Sequence, residues 1–60
     1  MKVTIKVCPA TFDMKVVSHK GKFHNIAKAI ADVVPVEETF KGKFLFYVLD
    51  LTEEQFEAMK

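Results

Sequence analysis

The chain contains no arginine and no tryptophan, and its sixty residues include only two glycines, two prolines and one cysteine. A single cysteine cannot close an internal disulfide, and Cys8 with His19 and His24 falls short of the four ligands a structural zinc site takes. Neither of the usual staples of a very small domain is therefore available. Arginine is the residue best suited to bidentate reading of guanine or phosphate, so its absence counts against specific nucleic-acid readout. No apolar run approaches the length of a membrane span, and MKVTIKV at the N-terminus alternates where a signal peptide would be continuously apolar. These absences lead to the expectation of a protein of the reducing cytoplasm, with no membrane association.

Chemistry is equally thin. There is no serine elbow, and neither copy of the tetrapeptide KGKF, at 20–23 and 41–44, has the glycine count or GK[ST] ending of a nucleotide-binding loop. Asp50, Glu53, Glu54 and Glu57 cluster in sequence. Paired acids do general acid-base work only when burial drives their pKa values apart, and acids beside a helix start are ordinarily solvated. Cys8 with a histidine could form a thiolate-imidazole pair, yet nothing in the sequence brings them together. The expectation is a protein that is not an enzyme and carries no catalytic residue, metal site or cofactor.

Sixty residues make one domain, 1–60, able to bury only about 60% of its unfolded surface. Apolar burial and ordering entropy nearly cancel at this size, so self-association or a tightly bound partner is an expectation. Formal net charge is +1. It divides unevenly: five lysines against Asp13 in residues 1–24, and four lysines against seven carboxylates in 25–60. Such asymmetry suits a charged partner surface or head-to-tail association.

Val3, Ile5 and Val7 alternate with Lys2, Thr4 and Lys6, the period-two pattern of a half-buried strand. Pro9 interrupts it, and Phe12, Met14 and Val16 resume the alternation, so a hairpin is expected. Ile26, Ala29, Ile30, Val33 and Val34 recur at helical spacing between a candidate cap, Asn25, and a terminator, Pro35. Val36–Phe40 reads as a short edge strand turned at Lys41-Gly42 into Phe44–Leu49, which is apolar on both faces. Leu51-Thr52-Glu53-Glu54-Gln55-Phe56 carries a helix start, with Thr52 and Gln55 as a capping box and Leu51 with Phe56 as a hydrophobic staple. The fold class expected is α+β, a single small domain with a mainly antiparallel three- to four-stranded sheet and two short helices in the order β-β-α-(β)-β-α. The late strand should lie antiparallel beside the first.

Two sets of residues are candidate contacts. In the first, Phe44, Phe46 and Val48 point to one side of the late strand and Leu45, Tyr47 and Leu49 to the other. If Ile26, Ile30 and Val33 cover one side, only Leu51, Phe56 and Met59 remain for the other. The side expected to stay thinly covered is that of Leu45, Tyr47 and Leu49, and this side or the sheet edge beside it is expected to form a homodimer or partner interface, with Tyr47 near its centre and Phe44 beside it. In the second, Lys20, Lys22, Lys41 and Lys43 of the two KGKF segments could touch phosphate while Phe23 or Phe44 stacks on a base. The plainer account is that each glycine serves a turn and each phenylalanine starts the next core element. The function expected is a small binding module that regulates or inhibits a larger protein, as domains of phage and mobile-element proteins often do. A homo-oligomer is compatible with it, and a sequence-tolerant nucleic-acid binder is the alternative.

Overall fold

A computed structural model describes residues 1–60, in which four strands and two helices follow in the order β-β-α-β-β-α. The elements are β1 (Lys2–Cys8), β2 (Asp13–Val16), α1 (Ile26–Ala29), β3 (Glu37–Lys41), β4 (Phe44–Asp50) and α2 (Glu53–Ala58). The sheet order is β2-β1-β4-β3, antiparallel throughout. The late strand thus lies beside the first, and the expected edge strand forms one residue later than its predicted bounds.

Register decides which side of the sheet becomes the core. Val3, Ile5 and Val7 stand opposite Leu49, Tyr47 and Leu45 of β4, while Ile5 and Val7 also stand opposite Val16 and Met14 of β2. Cross-strand partners share a face, so all these side chains point the same way. Ile26 of α1, Leu51 and Met59 close over them, forming a core with Val3, Ile5, Val7, Val16 and Leu49. Phe23, Ala29, Ile30, Val33 and Phe56 pack around it. Both helices therefore occupy one side, and α1 packs against α2 and β2. This differs from the expectation that the helices would divide the two faces of β4. Because β1 is apolar on only one face, any cover over its Lys2-Thr4-Lys6 side would bury lysines, and the pairing forces β4 to share that choice.

The helix expected over 26–34 is regular only through Ala29, after which turns carry the chain to Asp32. Asn25 occupies the cap position, but its side chain makes no capping hydrogen bond. The start of α1 is instead tied to the end of α2: the His24 and Asn25 N–H groups donate to the Met59 carbonyl at 2.8 and 3.2 Å. Ile30 and Val33 keep their inward positions through the turns, whereas Val34, the residue before Pro35, is 83% exposed.

Helix α2 is capped as its sequence predicts. Thr52 Oγ1 accepts from the Gln55 N–H at 3.2 Å, and the Thr52 N–H donates to Gln55 Oε1 at 2.8 Å. Since Met59, fully buried, is held by this helix, the cap supports the core directly. Thr52→Ala is expected to cost about 1 kcal/mol, read as a lower denaturation midpoint with unchanged slope. An unchanged midpoint would mean that the box contributes nothing to the fold.

Candidate functional site: the open face of the sheet

With both helices on one side, the other side of the sheet has no covering layer. Its residues follow from the register: Lys2, Thr4, Lys6 and Cys8 from β1, Asp13 and Lys15 from β2, Glu37, Thr39 and Lys41 from β3, and Phe44, Phe46, Val48 and Asp50 from β4. The apolar centre is the β4 row of Phe44, Phe46 and Val48, each half-buried by its neighbours in the sheet. One cross-strand row runs Lys15, Lys6, Phe46, Thr39, and the next runs Thr4, Val48, Glu37. Lys6 leans diagonally, placing Nζ 4.0 Å from the Phe44 ring centroid, a cation-π contact that keeps its stem along the apolar row.

Lys6 and Lys15 stand directly opposite each other, and neither forms an ion pair. Like charges so placed repel. Beside them a depression of about 280 Å³ is lined by Lys6, Cys8, Asp13, Met14, Lys15 and Phe44. Cys8 is half-buried there. Its thiol is held below the ordinary value by the Thr11 hydroxyl first and by the Thr11 and Ala10 N–H groups, against desolvation and the Asp13 carboxylate. The same hydroxyl lies 2.9 Å from Asp13 Oδ2, and its one proton serves either that carboxylate or the thiolate, not both.

The sequence candidates fall into three places. Phe44 lies on the open face. Leu45, Tyr47 and Leu49 lie on the helix side, where Leu49 is buried and Leu45 and Tyr47 pack at the margin of the core. Phe46 and Val48, on the side of β4 expected to lie under the 26–34 helix, are central to the open face. Their signal was the one-sided pattern of β1, which shows the core side of β4 once the two strands are paired.

Lys20, Lys22, Lys41 and Lys43 are all exposed, but the two KGK segments do not converge. The first lies along β2, where Gly21, Lys22, Phe23 and His24 line a depression with Met14, Lys15 and Val16. The second joins β3 to β4 at the opposite edge, with Gly42 and Lys43 as a two-residue turn. Gly42 has φ 65° and Lys43 has no positive φ, the pattern of a type II′ turn, while Gly21 has φ 131°. Both glycines meet a backbone need. Phe23 packs at the core and Phe44 opens a strand.

Cys8 and the histidines have separate surroundings. His19 Nδ1 is 2.8 Å from Ser18 Oγ and its ring centroid is 5.1 Å from that of Phe56, on the helix side. His24 serves the fold through its backbone donation to Met59. Among the acids, Glu57 pairs with Lys60 at 3.2 Å, and Glu53 and Glu54 stand exposed in the first turn of α2. No group of three or more His, Cys, Asp or Glu side chains is placed to hold a metal ion. No helix is long and apolar enough to cross a membrane.

One further feature lies at the tip of the β1-β2 hairpin. Phe12 is 78% exposed and has φ 61°, a left-handed conformation that a bulky residue adopts at a cost in strain.

Comparisons with protein-family models, with curated proteins and with solved structures found no match for this chain.

The environment of Cys8 yields a direct test. Alkylation by iodoacetamide near neutral pH should run faster on the folded protein than on the unfolded chain, because more of the thiol is ionised. Thr11→Val should slow it. Equal rates in the folded and unfolded states would mean that the Thr11 groups do not stabilise the thiolate.

Proposed function

We propose that this chain is a non-enzymatic binding module that regulates a larger cytoplasmic protein by docking the open face of its sheet onto it. The observation that carries this reading is the apolar row Phe44, Phe46 and Val48 on the side no helix covers. Contiguous apolar surface of this kind, rimmed by charged residues, marks interaction sites in small proteins. Aromatic centres with a polar rim are also the usual anatomy of protein interfaces. Here the rim is Lys2, Lys6, Lys15 and Lys41 with Asp13, Glu37 and Asp50, nearly balanced in sign. A balanced rim suits a protein surface better than a phosphate backbone, which favours an excess of cations.

One observation favours the alternative of a sequence-tolerant nucleic-acid binder: the unpaired Lys6-Lys15 couple beside Phe44 and Phe46, since sheet aromatics with nearby cations can stack bases. Interleaved acids, the lack of arginine and the divergence of the KGK segments weigh against it.

The two readings separate in a single set of variants. Phe46→Lys alters a half-buried side chain outside the core, so it should fold while weakening partner capture from nuclease-treated lysate about tenfold or more. Replacing Lys20, Lys22, Lys41 and Lys43 together with Gln should leave that capture nearly intact. Micromolar binding of a single-stranded oligonucleotide at physiological salt, lost in Lys6→Gln with Lys15→Gln, would transfer the function to nucleic acid.

A further inference from the structure

The second unpartnered feature is an edge. Strand β3 is the last in the sheet, all five of its residues are exposed, and neither helix packs on it. The other edge, β2, has four residues and is flanked by the Gly21–His24 segment. A long open edge is ordinarily blunted, because its free N–H and C=O groups will pair with another strand.

Which groups of β3 are free follows from its turn. Lys41 and Phe44 close the two-residue turn, so they exchange both ladder hydrogen bonds, and antiparallel alternation places Thr39 and Glu37 in the same bonded set. The N–H and C=O groups of Glu38 and Phe40 therefore point away from β4, and no other segment of the chain bonds them. The side chains add a second pattern. Glu37, Thr39 and Lys41 lie on the open face, while Glu38 and Phe40 lie on the helix side beyond the reach of the helices, with Phe40 65% exposed. Val34, Val36 and Phe40 are three of the six large exposed apolar side chains of the molecule, and all fall within or just before this edge.

We infer that two copies of this chain associate through β3, antiparallel about a two-fold axis at Thr39, so that the two sheets join into one. In this register Glu38 pairs with Phe40 of the second copy through the free backbone groups, and Thr39 faces its own symmetry mate as a close non-hydrogen-bonded pair. Glu37 then stands opposite Lys41 of the second copy, and Lys41 opposite its Glu37, giving two cross-strand pairs of opposite charge. The two Phe40 rings become diagonal neighbours across the axis on the helix side, within aromatic reach. Charge selects this register over its neighbours. Centring on Glu38 sets Glu38 against Glu38, and centring on Phe40 sets Lys41 against Thr39 and loses both ion pairs. A parallel pairing in register would set Glu37 against Glu37.

Surface area points the same way. A compact 6.8 kDa monomer has an accessible surface of about 4,000 Å², whereas this chain exposes 4481 Å². Val36 and Phe40, just before and within β3, are among the side chains it exposes. The inference does not rest on the docking function, because pairing at the edge leaves the open face free. It sets the two Phe44-Phe46-Val48 rows side by side on one enlarged sheet.

Sedimentation equilibrium across micromolar to sub-millimolar concentration, with charge-swapped variants, tests it. Wild type should dimerise reversibly. Glu37→Lys and Lys41→Glu each convert both opposite-charge pairs to like-charge pairs, so each alone should weaken dimerisation about tenfold or more. An equimolar mixture of the two variants should recover wild-type association as a heterodimer, which also shows that both variants are folded. In a Cys8→Ser background, Thr39→Cys should form a disulfide-linked dimer under mild oxidation and Glu37→Cys should not. A wild type that stays monomeric throughout, or single variants that dimerise as well as wild type, would overturn the inference. Loss of partner capture by Phe46→Lys with dimerisation intact would bear on the docking face alone.

Discussion

The rest of the structure depends on the pairing of Ile5 between Val16 and Tyr47. Ile5 is completely buried in the central strand β1, and the two pairings that hold it fix the parity of the whole sheet. A strand presents alternate residues to opposite sides, so a shift of one residue would send Leu45, Tyr47 and Leu49 outward and bring Phe44, Phe46 and Val48 over the core. Because β1 offers apolar side chains on only one face, that face must be the covered one, and every neighbouring strand inherits the choice.

Once parity is set, the helix layer has one task. Leu51 and Met59 are inserted over Val3, Ile5 and Leu49 by α2 and the residues leading into it, and the Met59 carbonyl holds the entry to α1. This closes a core over β2, β1 and β4. The layer does not extend over β3, which overhangs it, nor does any element cover the opposite face. A sixty-residue chain with helices of four and six residues lacks the material to cover two faces and both edges. The open face and the β3 edge are thus consequences of the same limited helix layer.

The open face combines groups that would be unremarkable alone. Lys6 lies along Phe44, Lys15 faces Lys6, and Cys8 sits beside them with a thiol shifted toward ionisation. Asp13 and Met14 complete the lining of the depression they share. Together they make a surface with an apolar middle and mixed charge around it. The two KGK segments take no part in one shared surface. Their glycines adopt positive φ at two separate turns, and their lysines remain solvated on opposite edges.

By itself the sequence determined the elements whose signals are local. The alternation in β1, the capping box of Thr52 and Gln55, the glycine turn between β3 and β4 and the antiparallel α+β order all follow from side-chain periodicity or from hydrogen bonds within a few residues. The length of α1 was less legible: helical spacing from Ile26 to Val34 describes which residues face inward, and turns satisfy that requirement as well as a helix does when no cap holds the first turn. Which side of β4 is covered was decided only in the tertiary structure. A strand apolar on both faces carries no internal mark of its core side, and that information resides in its register with β1, a contact made across some forty residues of chain. The same register placed Tyr47 at the core margin and Phe46 on the open face, because the choice of side belongs to the pair of strands and to neither strand alone.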